Sequence, residues 1–211
     1  MINGLILIGA GGYASSVIDT INITKEYEIV GFIDDFKVGE YFGKPIFGND
    51  IRKIPNYKDY CYFVSIGNLD IRKAWFEKIK NLGLNTVNII DQSAIISDNV
   101  KIGTGNFVGK GVIINIDTII GDDNLINTKA LIEHGCRIGS HTRISTNSTL
   151  NGDVKVEDEV YFGSSAVANG QLSIGRNSVV GSGAVVISDV EEYTTVVGVP
   201  AKVIKRKGVL V

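Results

Sequence analysis

Few residues in this chain can move a proton near neutral pH. Two histidines, His134 and His141, and two cysteines, Cys61 and Cys136, are the candidates. A neutral imidazole is well matched to taking a proton from an amine or a hydroxyl. The cysteines form no C-x-x-C, so neither a disulfide framework nor a zinc knuckle is expected. A second feature with chemical potential lies near the N-terminus. The run Gly9-Ala10-Gly11-Gly12-Tyr13-Ala14 is followed by Asp34-Asp35. This fits a G-x-G-x-x-G/A turn with an acid about 20 residues on. Such a turn lets a phosphate approach the backbone at a helix N-terminus, while the acid takes a sugar hydroxyl or a base N–H.

What must position His134 is a repeat. From Ile90 to Val186, every sixth residue is apolar and the register never slips. No helix or alternating strand has that period. A second series at the same step, from Val100 to Val190, is mostly small and includes Cys136. The residue after each apolar anchor is often Gly or Asn, as at Gly103, Gly121, Asn127, Gly139 and Gly163. Those residue types suit turns. The reading is a triangular solenoid of hexapeptides, with three hexapeptides, or 18 residues, to a coil. Anchors point inward, and coils pair as parallel strands. Cys136 is then a packed core thiol.

In this geometry residues 18 apart stack. His134 lies two residues past the anchor Ile132, at an outward corner, with Gly152 and Gly170 in line above it. An imidazole beside two positions without side chains makes a groove that suits a long thin pantetheine arm. Thr146, Ser164 and Ser182 form a stack at another corner. If chains pack as a trimer, corners of neighbouring chains wall the groove together. His141 is out of phase with His134, so the two cannot easily share a metal. It is expected at a solvent-exposed corner.

The elements before the solenoid are of another kind. GLILIGA reads as a buried strand, SSVIDTI as a helix, and EIVGFID as a second strand ending at Asp34-Asp35. A third strand, YCYFVSIG, ends at Gly67-Asn68, with Arg72 soon after. This is a half-sized α/β Rossmann-like domain, expected over residues 1–85, followed by a β-helix over 86–211. Half a doubly wound domain can hold one nucleotide, and Gly67 would lie at the same ligand-binding edge as the glycine turn.

The composition excludes several classes. Net charge is -2 and no basic run occurs, so a nucleic-acid surface is not expected. The apolar start, Leu5 to Ala10, is short and lacks a basic flank, which argues against a leader or a membrane span. A cytoplasmic, reducing setting is the expectation.

Taken together, the glycine turn, the GFIDD strand, the SIGNLDIR segment, the N-T-x-x-x-I-E-H-x-C stretch of the solenoid and the closing GVPAKVIK resemble one family. It is the PglD/NeuD-like sugar O- and N-acyltransferases of the hexapeptide-repeat class. The resemblance implies a left-handed parallel β-helix, a homotrimer with active sites between subunits, and acetyl-CoA as co-substrate with no metal. It implies transfer of acetyl to the 4-amino group of a UDP-, dTDP- or GDP-linked dideoxy sugar, or to sialic acid in other members. By motif, His134 matches the general base. Gly11, Gly12, Tyr13, Asp34 and Asp35, with Gly67 beside them, match the nucleotide-sugar contacts. Gly152, Ser164 and Ser182 match contacts to acetyl-CoA.

Four positions depart from the family pattern. Gly135 stands where an acid often follows the histidine. Arg143 stands where a second histidine is frequent, and could contact CoA or a phosphate. Tyr13 replaces a histidine of the glycine turn, and Asp91-Gln92-Ser93-Ala94 replaces the usual H-P-x-A lead-in. An amine needs a weaker base than a hydroxyl, so the missing acid favours N-acetylation. The open alternatives are O-acetylation of a free sugar, a metal-dependent lyase on the same solenoid, and a scaffold that binds sugar nucleotides without catalysis. The cationic end, Lys202, Lys205, Arg206 and Lys207, is either a CoA phosphate contact or a solvated tail.

Overall fold

Strong apolar runs near the N-terminus form a parallel sheet buried on both faces, as such sheets require. The computed structural model describes residues 3–206. Strands β1 (Asn3–Ile8), β2 (Tyr27–Ile33) and two later ones build the sheet. Helix α1 (Gly12–Thr24) joins β1 to β2. A small hairpin follows, β3 (Glu40–Tyr41) with β4 (Lys44–Pro45). Then come β5 (Cys61–Val64), α2 (Leu69–Asn81) and β6 (Asn85–Thr86). The sheet order is β2-β1-β5-β6, all parallel. Ile6, Ile8, Tyr62 and Val64 pack with Trp75, Phe76 and Ile79 of α2 in one buried cluster. Leu5, Leu7, Phe63 and the inner face of α1, with Ala14, Val17, Ile18 and Ile21, are buried as well. Asn68 caps α2 by accepting from the Ile71 N–H at 3.0 Å, which relieves an orphan donor of the first turn.

Contacts divide the chain between Gln92 and Ser93. The second unit is a left-handed parallel β-helix of two-residue strands spaced by six, from Ile95–Ile96 to Val185–Val186. Strands 18 apart pair in parallel, such as Leu131 with Thr149 and Arg137 with Lys155. The anchors from Val108 to Val186 are buried. Inside the tube, Asn124 Oδ1 accepts from both N–H and Oγ1–H of Thr142 at 2.8 Å, and its Nδ2 donates to Gly139 O at 2.9 Å. A buried amide is thereby satisfied, as burial demands. A final strand, Thr194–Val197, caps the last coil beside Val179–Val180 and turns back through Lys202–Arg206.

The turn glycines work differently from the expectation. Gly121, Gly139 and Gly163, which follow the anchors, do not have positive φ. They are small because the next coil lies against them. A Cβ on Gly163 would stand 2.5 Å from Ser182 N, and one on Gly139 would stand 2.8 Å from Asp158 N. From Gly105 to Gly183 the left-handed residue comes two positions later in each hexapeptide and is mostly not glycine: Asp117, Asp123, Lys129, His141, Asn147, Asp153 and Glu159 all have φ between 52° and 62°.

Candidate active site

The loop after β1 and the loop after β5 meet at the carboxyl edge of the sheet. Between them is a cavity of about 480 Å³ lined by Gly11, Gly12, Tyr13, Asp34, Asp35 and Gly67. All six residues proposed from the sequence therefore border one space. Gly9 makes the turn: its φ is +100°, and a side chain there would strike Ile66 at 2.6 Å. Gly11 and Gly12 are different. A Cβ on either would meet nothing within 4 Å. Their lack of side chains leaves open the start of α1, where backbone N–H groups favour an anion.

The two acids of the cavity have separate roles. Asp34 is engaged by the chain: Oδ2 accepts from Ala10 N at 2.8 Å, and Oδ1 accepts from Phe36 N and Lys37 N at 2.9 Å. Burial works against its charge, but these three donors and Lys37 outweigh it and hold the carboxyl below the usual range. Lys37 Nζ donates to Ala10 O, and Tyr41 Oη donates to Gly11 O at 3.1 Å. The segment after β2 thus clamps the glycine turn from several sides. Asp34 shapes the turn, and Asp35 beside it is exposed. Phe36, 92% exposed, also borders the cavity, as do Ser65, Ile71 and Trp75. These were not singled out from the sequence. The only signal for Phe36 is that it follows the paired acids.

In the solenoid, His134 is exposed at a corner. The N–H of Asp153 donates to His134 O at 2.8 Å, and that of Gln171 donates to Gly152 O at 2.9 Å, so the 134–152–170 column exists as spaced. The imidazole leans over Gly152: a Cβ there would lie 2.6 Å from both Cε1 and Nε2. Any other residue at 152 would displace the ring. The Thr146, Ser164 and Ser182 column also forms, through Ser165 N to Thr146 O and Gly183 N to Ser164 O. It occupies the adjacent corner, with the Thr149–Leu150 face between the two columns. Arg143 lies on the face before that corner, its guanidinium 5.3 Å from the centroid of Tyr161.

His141 corrects an expectation. It is only 8% exposed, and its Nδ1 lies 2.9 Å from Oδ2 of buried Asp123 in the coil below. The corner position that was expected to face water is the left-handed one, and there the side chain stacks on its neighbour 18 residues away. Its role is structural. Cys136 is fully buried, its Sγ donating to Asn151 O at 3.3 Å, and burial pushes the thiol up to about 11. Asp91 is buried and accepts from Thr20 Oγ1 at 3.0 Å, which gives this departure from the family pattern a structural task. Lys202, Lys205 and Arg206 are exposed, with Arg206 paired to Glu191. Lys207 lies outside the described residues. Among the described residues no cluster of three His, Cys, Asp or Glu could hold a metal, and no helix is long and apolar enough to cross a membrane.

Comparison with known proteins agrees with both units. The PglD N-terminal domain family matches residues 4–79, and the bacterial transferase hexapeptide family (six repeats) matches 117–152. PerB from Caulobacter crescentus, solved in complex with CoA and GDP-perosamine, is 32% identical with a TM-score of 0.91, over 97% of this chain and 99% of that one. The acetyltransferase domain of PglB from Neisseria gonorrhoeae, in complex with acetyl coenzyme A, is 27% identical with a TM-score of 0.91, over 97% and 100%. An uncharacterized protein of Acanthamoeba polyphaga mimivirus is 36% identical over 97 residues, and that match spans 46% of this chain and 19% of the viral protein. With a cavity at the carboxyl edge of the N-terminal sheet, an exposed histidine on a glycine column and a relative matched end to end, the chain belongs to the PglD-like sugar acetyltransferases of the hexapeptide-repeat class.

Proposed function

We propose that this protein transfers acetyl from acetyl-CoA to the 4-amino group of a nucleotide-linked amino-dideoxy sugar, with His134 as general base. The observation that carries the reading is the imidazole of His134, exposed and seated on Gly152. A reacting amine must give up a proton as it attacks a thioester, and an accessible neutral imidazole can accept it. The glycine column leaves a groove for the pantetheine arm, with Ser164, Ser182 and Arg143 as further CoA contacts. The oxyanion of the tetrahedral intermediate needs an N–H donor, which the N–H of Gly152 itself would supply. Gly11, Gly12, Tyr13, Asp35 and Gly67 hold the nucleotide end, and Asp34 holds their loop. The protein works as a homotrimer with active sites between subunits, in the cytoplasm. The C. crescentus relative with CoA and GDP-perosamine supports a nucleotide-sugar acceptor.

The test is thiol release from acetyl-CoA with a panel of UDP-, dTDP- and GDP-linked 4-amino-4,6-dideoxy sugars and free sialic acid. Release with one nucleotide amino sugar, lost in His134→Ala, is the expected result. Release with sialic acid alone would replace the acceptor. Release that survives His134→Ala would refute the base.

A further inference from the structure

His134 needs a partner to hold its ring, and among the described residues none hydrogen-bonds to it. One carboxylate precedes it in the chain, and another lies one coil on at the same corner. Glu133 is engaged on the far side: its Oε2 accepts from Asn115 Nδ2 at 2.9 Å, in the coil below, while the imidazole leans over the coil above. Asp153 is placed otherwise. It follows Gly152, the residue under the ring, and its N–H donates to the carbonyl of His134 at 2.8 Å. Its carboxylate turns back towards the coil of His134. Oδ1 fills the space over Gly135, 2.1 Å from where a Cβ on that glycine would lie. The imidazole leans forward by one coil and the carboxylate leans back by one, at the same corner.

The glycine at 135 has no backbone reason. Its φ is +70°, but Asp117, Lys129, His141 and Gln171 take the equivalent conformation with side chains. What its missing side chain provides is room for the carboxylate of Asp153.

We propose that Asp153 is the positioning residue of His134, a carboxylate delivered from the next coil into the space that Gly135 leaves. The proposal rests on His134 being the base. As the amine nitrogen forms its bond to the thioester carbon, its N–H proton passes to the imidazole. When the C–S bond breaks, the imidazolium returns that proton to the departing thiolate. Asp153 takes no proton; it acts through its charge, which favours the imidazolium as that forms and so holds the ring on its side of the corner.

The experiment compares Asp153→Asn with the exchanged pair Gly135→Asp/Asp153→Gly, which moves the carboxylate across the coil gap. In Asp153→Asn we expect kcat to fall about tenfold, less than the roughly 100-fold or more that losing base assistance outright would cost, with KM for acetyl-CoA nearly unchanged. In the exchanged pair most of that loss is recovered. The ring 15N shifts of His134, assigned against His134→Asn, change in Asp153→Asn and return in the exchanged pair. Wild-type kcat in Asp153→Asn, or a folded exchanged pair no better than Asp153→Gly alone, would overturn the proposal. The 15N readout needs no acceptor: unchanged shifts in Asp153→Asn overturn it even if the acceptor assigned above is wrong.

Discussion

Gly152→Ala is the sharpest test of the seat under His134. The added methyl would stand 2.6 Å from Cε1 and Nε2 of the imidazole. Ordinary carbon contacts are about 3.5–4.0 Å, so the ring must move by roughly 1 Å. The ring is the far end of an exposed side chain, and Gly152 is not in the left-handed region. Displacement therefore costs the fold little, and alanine at a compatible site can stabilise by up to about 1 kcal/mol through the unfolded chain. Catalysis is more sensitive, since a misplacement of about 1 Å can cost about 100-fold. We expect kcat for thiol release to fall between about 10- and 100-fold, with Tm equal to or slightly above wild type. A variant with kcat within about twofold of wild type would refute the reasoning, because the base would then not need the place where the ring lies. A matching loss of Tm would show instead that Gly152 serves packing.

Asp34→Asn sets an amide N–H against the N–H of Ala10 and should destabilise the N-terminal unit by about 1–2 kcal/mol. Because the folded carboxyl is held below its ordinary value, that stability is present above about pH 4 and is lost as pH falls through the lowered value; thermal melts of variant and wild type should converge in strong acid. His141→Ala leaves Asp123 buried without its imidazole and should cost about 3 kcal/mol by urea denaturation, with kcat retained at 25 °C; loss of kcat without loss of stability would give His141 a catalytic part. Cys136, buried and with its thiol raised to about 11, should resist alkylation at pH 8 in the native protein and react on unfolding, as read by mass spectrometry.

The period of six and the two candidate regions were legible in the sequence because each is a local pattern. An anchor every sixth residue dictates which side chains point inward, and a step of 18 dictates which corners stack, so the His134–Gly152–Gly170 column follows from counting alone. The glycine turn and its acids carried the same kind of signal. What spacing could not decide was direction. His141 and His134 both sit at corners, but the left-handed backbone of 141 turns its ring onto Asp123, while 134, one position before the left-handed residue of its hexapeptide, leaves its ring outside. Asp34 and Asp35 are identical in type, and only the folded loop commits one to backbone donors and leaves the other exposed. Gly135 read as an absent acid. Only the stacking of coils shows that a carboxylate from 18 residues away occupies that place, because side-chain direction depends on backbone φ and on neighbours that are remote in the chain.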